Sequence, residues 1–341
     1  MKYRDMKYHE EYENSVPFKA NYVDSIEALL SKRKEQFEQK RRAQWPTFFE
    51  NQESYRQKFI EMLGWPLVYE PDKDELPSVE IKKLSDEDGY SIYRMEFDII
   101  DGCILTGLFF KQDTDEKRPL IITQHGGDGT PELISGFYEG KTYNYNDMVE
   151  NVIKGGAHIF APQLLLWSEQ YGLKQERNRV DAELKRLGGS ITALEIYAIR
   201  RILDYFETKD YVKNFGMVGV SYGGFYTLYT AAIDTRIESA VSGIFFNKRD
   251  AVPWSDWTWF KSAEVFEDAE VAALVYPRKL YIQIADKDNL FNYKYGLESY
   301  ERLKELSEKV GLDWVDFVLF DGAHEFWKED VQVQKMINDL L

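Results

Sequence analysis

Phe215-Gly216-Met217-Val218-Gly219-Val220-Ser221-Tyr222-Gly223-Gly224 is the stretch on which the reading of this 341-residue chain turns. It opens with a continuous apolar run, ends in glycines, and leads straight into the helix-compatible segment Phe225–Ala232. A buried strand, a tight turn and a helix are the parts that such a pattern predicts. A serine on that turn is held in a strained backbone conformation that exposes its hydroxyl, and Gly219 and Gly223 let strand and helix come close. The helix N-terminus then offers oriented N–H groups to an oxyanion. The competing reading is a glycine-rich turn whose serine merely caps the helix.

The surroundings favour the first reading. From Leu120 onward short apolar runs alternate with amphipathic stretches: Leu120–Thr123, a helix near Tyr145–Lys154, His158–Ala161, a helix near Thr192–Glu207, and Phe215–Val220. They continue through Ser239–Phe245, Lys279–Ile284, a helix near Leu297–Lys309, Val315–Phe320 and a last helix from Lys328. Runs without alternation, joined by helices, are what parallel strands covered on both faces require, so the fold class is doubly wound α/β. Ahead of them, Val79–Leu84, Tyr90–Phe97 and Ile104–Lys111 are separated by turn signals and read as an antiparallel meander. Residues 1–77 are taken as a helical extension, broken near Pro46 and closed at Gly64-Trp65-Pro66, and 78–341 as the main domain. Two long connections near 167–189 and 247–275 fall on the C-terminal side of strands, where open α/β sheets place ligands.

A second glycine-rich segment, Gln124-His125-Gly126-Gly127-Asp128-Gly129, follows an early strand. Gly127 N–H with Tyr222 N–H is the expected oxyanion pair, and His125 is read as pinning the loop. Of four histidines, His324 stands in a short loop after the run Val315–Phe320 and is the expected general base. Its acid should follow a strand between Ser221 and His324, and Asp286 and Asp288 both do. Asp288 is preferred because Leu290-Phe291 would shield its ion pair from water, with Asp286 as the alternative. Trp254, Trp257 and Trp259, with Trp167, could stack on sugar rings or enclose an acyl group, or could simply pack the loops onto the body.

Net charge is −16, which leaves no basic footprint for nucleic acid and disfavours an anionic membrane surface. The polar Met1–Asn14 has no apolar core of a signal peptide, and no apolar run approaches the ~20 residues that span a bilayer, so the expectation is a soluble, cytoplasmic protein. One cysteine, Cys103, excludes an intrachain disulfide and disfavours a cysteine metal site, and it is expected to be buried. No metal or cofactor is expected, and oligomeric state is open.

At these residues the chain resembles the α/β-hydrolase superfamily, and within it the dienelactone hydrolase and acetyl xylan esterase-like branch. The resemblance rests on Pro119-Leu120 leading to His125-Gly126-Gly127, on Gly219–Gly224, on Ala323-His324-Glu325-Phe326, and on Tyr276-Pro277-Arg278-Lys279-Leu280 before Asp288. It departs from the pattern at Lys279, where a proline is usual, at Ala285, where a glycine is, and at Pro162-Gln163 in place of Pro-Asp. The resemblance implies a mostly parallel central sheet with antiparallel first strands, helices on both faces, and a Ser221–Asp288–His324 triad acting on a small ester. Ser221-Tyr222-Gly223-Gly224-Phe225 is also similar to the prolyl oligopeptidase type, which makes a small-peptide hydrolase or amidase the rival activity; a non-catalytic binding protein on the same scaffold is the third.

Overall fold

The computed structural model describes residues 7–69, 75–138, 143–329 and 331–341. The chain starts in a long helix, α1 (Tyr12–Arg42), passes two short 3-10 turns and forms α2 (Gln52–Leu63). The break near Pro46 is where the sequence puts it, and α1 begins at Tyr12, well inside the extension. Pro17 lies in its second turn, where its missing N–H leaves one helical bond unmade and the helix carries on.

Strands β1 (Val79–Asp86), β2 (Tyr90–Ile100) and β3 (Cys103–Gln112) form the expected antiparallel meander. The rest alternates: β4 (Arg118–Gln124), α3 (Pro131–Ile134), α4 (Met148–Lys154), β5 (His158–Pro162), α5 (Arg177–Arg186), α6 (Ile191–Glu207), β6 (Val212–Val220) and α7 (Tyr222–Ile233). There follow β7 (Ile237–Gly243), α8 (Ser262–Val265), α9 (Asp268–Ala273), β8 (Lys279–Ala285), α10 (Tyr293–Leu306), β9 (Val315–Phe320) and α11 (Val331–Leu340). All nine strands join one sheet in the order β1-β2-β3-β5-β4-β6-β7-β8-β9. The β3–β5 pair is antiparallel, and from β5 to β9 every pair is parallel.

Leu120, Ile121 and Ile122 are all fully buried, as are Met217, Val218 and Val220. Both faces of the sheet are therefore covered, which is why these runs do not alternate in sequence. Helix α6 is capped by the Ser190 hydroxyl, which accepts from Ala193 N–H at 3.1 Å. Its apolar face, including Ile199, Ile202 and Phe206, lies on the sheet. Arg201, charged though it is, is also buried and bonds Asp204 at 2.8 Å. Cys103, expected inside, is exposed, because β3 starts with it directly after the Asp101-Gly102 turn at the sheet's end. The two long connections are not bare loops: the first carries α5, and the second carries α8 and α9. No helix among the described residues is long and apolar enough to cross a membrane.

Candidate active site

Every parallel strand delivers its successor loop to the same rim of the sheet, and the residues singled out by sequence come after four of them. Gly127 follows β4, Ser221 follows β6, Asp288 follows β8 and His324 follows β9.

Ser221 sits at φ 59°, ψ −121°, a conformation that costs a non-glycine residue energy and must be held from outside. Two bonds hold it: its N–H donates to Gly243 O at 2.9 Å, and its carbonyl accepts from Phe225 N–H at 2.9 Å. The glycines are steric requirements. A Cβ on Gly219 would collide with the Gly223 backbone, and one on Gly223 with the carbonyl of Gln124, so no larger residue allows strand and helix to meet here.

On one flank, His324 Nδ1 lies 2.9 Å from Asp288 Oδ2. With a carboxylate as partner, Nδ1 carries the proton and Nε2 is left as an acceptor. The Asp288 side chain is 1% exposed and that of His324 16%. The other Asp288 oxygen accepts from Leu290 N–H at 2.8 Å and Phe291 N–H at 3.0 Å, so backbone donors aim the carboxylate. Asp286, the alternative acid, is exposed and accepts instead from Gly322 N–H at 3.2 Å. The His324 loop is tied down by Asn144, whose side chain donates to His324 O at 3.0 Å and whose carbonyl accepts from Phe326 N–H at 2.7 Å. A line of rings then runs back to the serine turn. His324 lies 5.6 Å from Phe291, Phe291 lies 5.7 Å from Trp254, and Trp254 stacks on Tyr222 at 5.4 Å.

On the other flank is the glycine loop. A Cβ on Gly126 would sit 3.3 Å from Ser221 Cβ, and one on Gly127 would sit 3.3 Å from the Tyr222 ring. Tyr222 opens α7, so its N–H has no intrahelical acceptor. Gly126 N–H is taken by the Tyr145 hydroxyl at 3.0 Å, while among the described residues Gly127 N–H has no backbone acceptor. His125 anchors the loop from below: Nδ1 pairs with Gly126 O at 2.9 Å and Nε2 accepts from Leu164 N–H at 3.1 Å. Complete burial pushes its pKa down to about 4, which keeps the imidazole neutral.

Sequence reasoning missed what lies behind this flank. Arg177 of α5, itself buried, bonds Asp256 at 2.7 Å, Glu195 at 2.8 Å and the Tyr226 hydroxyl at 2.6 Å. Tyr226 in turn donates to Glu195, and the Tyr222 hydroxyl donates to Asp256 at 3.0 Å. Burial alone would lower the Arg177 pKa, but Glu195, Tyr226 and Asp256 together hold it well above its ordinary value. Desolvation, then the Asp256 charge, push the Tyr222 phenol up, so it remains a donor. Two carboxylates, one guanidinium and two phenols thus join both long connections to the residue after Ser221. An open cleft of about 490 Å³ lies beside them, lined by Gly127, Asp128, Leu166, Arg177, Arg179 and Tyr222, among others.

The tryptophans divide. Trp257 and Trp259 are buried, packed on Phe225 with centroids at 4.8 and 6.2 Å, and serve the core. The packing alternative describes those two; burying a large apolar side chain contributes about 1.5–3 kcal/mol. Trp167 is turned into its own connection, where its indole N–H donates to Leu173 O at 2.6 Å. Trp254 is half-buried, stacked on Tyr222. Among the described residues no group of histidine, cysteine, aspartate and glutamate has the makings of a metal site.

Solved structures with a similar fold exist. The glucuronoyl esterase from Solibacter usitatus superposes with a TM-score of 0.61 at 15% identity, over 83% of this chain and 90% of that one. Acetyl xylan esterase 1 from Thermoanaerobacterium sp. gives 0.59 at 15% identity, over 85% and 93%. The fold is that of the α/β-hydrolases. In sequence, a Bacillus subtilis protein named "Putative hydrolase YtaP" is 27% identical over 139 residues, which is 38% of this chain and 44% of that protein. The matched segment is thus less than half of that relative. No family model matches the chain. Within the α/β-hydrolase fold, the loops after β4, β6, β8 and β9 are the ones that carry the residues described above.

Proposed function

We propose that the protein is a serine hydrolase that cleaves a carboxylic ester through an acyl-enzyme on Ser221, with Asp288 and His324 as the other members of its triad. The observation that carries the reading is the dry 2.9 Å bond from His324 Nδ1 to Asp288, on the same rim as a serine held at positive φ. That bond sets the tautomer in which Nε2 can take the Ser221 proton as Oγ attacks the substrate carbonyl carbon. Negative charge on the carbonyl oxygen then falls to Gly127 N–H and Tyr222 N–H. Collapse of the tetrahedral adduct breaks the bond to the leaving oxygen, which receives the proton back from the imidazolium. Water, deprotonated by the same nitrogen, attacks the acyl carbon and releases the acid, returning the serine.

The esters preferred are short acyl or acetyl esters, including those on a carbohydrate. The named esterase neighbours support that choice, and the open, polar-walled cleft beside Tyr222 has room for a sugar. Fluorophosphonate labelling of the folded protein followed by peptide mapping tests the nucleophile: modification is expected at Ser221 and absent in Ser221→Ala. A panel of acetylated sugars, short acyl esters and aminoacyl amides tests the class. Turnover of the amides alone would move the activity to the peptidase type, and retained turnover in Ser221→Ala would remove the mechanism.

A further inference from the structure

Helix α1 spans 31 residues, so it is about 46 Å long, and among the described residues its ion pairs with the body begin at Lys34, 3.7 Å from Asp250, and lie towards its C-terminal end. There Arg41 is buried with its Nε 3.3 Å from Glu270, Arg42 bonds Glu305 at 2.8 Å, and Glu38 accepts from Arg302 at 3.0 Å. From Tyr12 to Gln36 every residue except the half-buried Ser15 is exposed. The helix is polar on average, yet it also carries large apolar side chains in a repeating order. Tyr12, Val16, Val23, Ile26, Leu30 and Phe37 recur at spacings of four, seven, three, four and seven, which are a and d positions of a heptad whose two other d positions are Lys19 and Arg33. Tyr22 and Leu29 widen the stripe, and Tyr22, Val23 and Leu29 are 68, 56 and 64% exposed. Phe37, half-buried, continues the stripe and is covered on its own helix by Arg33 and Lys40, whose charges lie 4.4 and 5.6 Å from its ring. A contiguous apolar stripe of this kind marks an interaction site.

Charge says what covers it. Glu10, Glu11 and Glu13 lie at and just before the start of the helix, and Lys32, Arg33 and Lys34 lie at the other end of the exposed segment, Lys34 also pairing with Asp250 of the body at 3.7 Å. The two clusters are placed nearly symmetrically about Tyr22. A second copy of the same helix, laid antiparallel with its two-fold axis near Tyr22 and Val23, sets each acidic end beside the other copy's basic end. The same register brings Val16 of one copy to Leu29 and Leu30 of the other, and it ends before Phe37, where the partner's body starts. Helix dipoles also oppose in this arrangement. A parallel pairing would stack three bases on three bases and three acids on three acids.

We propose that the free part of α1 is a homodimerisation element, an antiparallel pair of α1 helices from two copies of this chain. A two-fold contact is self-complementary by construction, and acids and bases placed symmetrically about one residue are what it needs.

Light scattering on the eluting full chain should give twice the chain mass. Val23→Glu with Ile26→Glu should give a monomer with an unchanged circular dichroism spectrum, since both side chains are exposed in the single chain. Lys32→Glu with Arg33→Glu should weaken self-association at least tenfold, and adding Glu11→Lys and Glu13→Lys to that variant should restore it. A native chain that is monomeric overturns the proposal, including one that sediments with phosphatidylcholine vesicles, which would mean a lipid surface covers the stripe. A dimer indifferent to the glutamate pair, or charge reversal that is not rescued by the second reversal, overturns it as well.

Discussion

The two flanks of Ser221 are built on different principles. On the His324 side, one carboxylate is aimed by two backbone N–H groups at one imidazole, and each residue comes within four positions of a strand end. On the Tyr222 side, Arg177, Glu195, Asp256 and Tyr226 are drawn from four elements, three buried charges and a phenol that satisfy one another. In the proposed mechanism the first flank moves a proton. The second locks two long connections onto the sheet and leaves α7 and the cleft wall in a defined place. Removing parts from the first should therefore reduce turnover at little cost in stability, and removing parts from the second should reduce stability first.

The largest separation between the flanks is expected at the acid. Asp288→Asn leaves its shape but reverses the hydrogen-bond preference at one position, favouring the wrong imidazole tautomer. It should lower kcat by roughly 10³–10⁴ on a p-nitrophenyl ester, with urea unfolding almost unchanged. Asp286→Asn, which touches only Gly322 N–H, should leave kcat near that of the native protein. Exchange of these two results would move the acid to Asp286.

Arg177→Met tests the other flank. It strands Glu195 and Asp256 as buried carboxylates without a cation, the situation in which breaking a buried pair costs about 3–5 kcal/mol. Chemical denaturation should show that loss even if the residual folded fraction still labels with fluorophosphonate. A variant as stable as the native chain would mean that water enters and solvates the pair, and that the connections are held by packing alone.

The difference between the flanks also explains how much could be read from sequence. The strand–turn–helix at Ser221, the glycine loop and the His324 loop are local: a run of buried residues followed at once by the candidate one. Their order along the chain then does the rest. Asp288 needed one physical argument, shielding by Phe291, and that ring does lie 5.6 Å from His324. Arg177 and Asp256 are 79 positions apart, and α5 and the 255–257 turn look in sequence like solvated loop segments rich in charge. Nothing in composition distinguishes a charge that meets a buried partner from one that meets water. The same limit applies to the tryptophans: Trp254 and Trp257 are three residues apart, yet one is half-exposed on Tyr222 and the other is sealed in the core.

The glycine loop adds a pH-dependent contribution of intermediate size. His125 titrates near 6.5 when unfolded but is pushed down to about 4 by burial in the native state. Between those values the unfolded chain binds the extra proton, so unfolding free energy rises with pH across that window. The contribution is fully present above about 6.5 and is lost as pH falls towards 4, with a full span of about 3 kcal/mol. Replacing His125 by Gln should flatten the stability profile between pH 6.5 and 4, measured against the native chain by urea titration at each pH. An unaltered slope would assign the acid sensitivity elsewhere, with buried His158, also lowered to about 4, as the next group to change.

The smallest effect is expected at the point where the flanks meet. Tyr222 gives the site its backbone N–H, while its ring stacks on Trp254 and its hydroxyl donates to Asp256 at 3.0 Å. Tyr222→Phe removes only the hydroxyl. Asp256 keeps its bond from Arg177, so the cost should be that of one hydrogen bond to a charged acceptor, about 1.5–3 kcal/mol in stability. The N–H and the ring stay, so kcat should change little, and what movement there is should appear in KM, because the ring forms part of the cleft wall. A large fall in kcat with KM unchanged would say that the ionic cluster sets the position of the oxyanion donors during the reaction. The division between a proton-moving flank and a structural one would then fail, since the second would be acting on the chemistry through Tyr222.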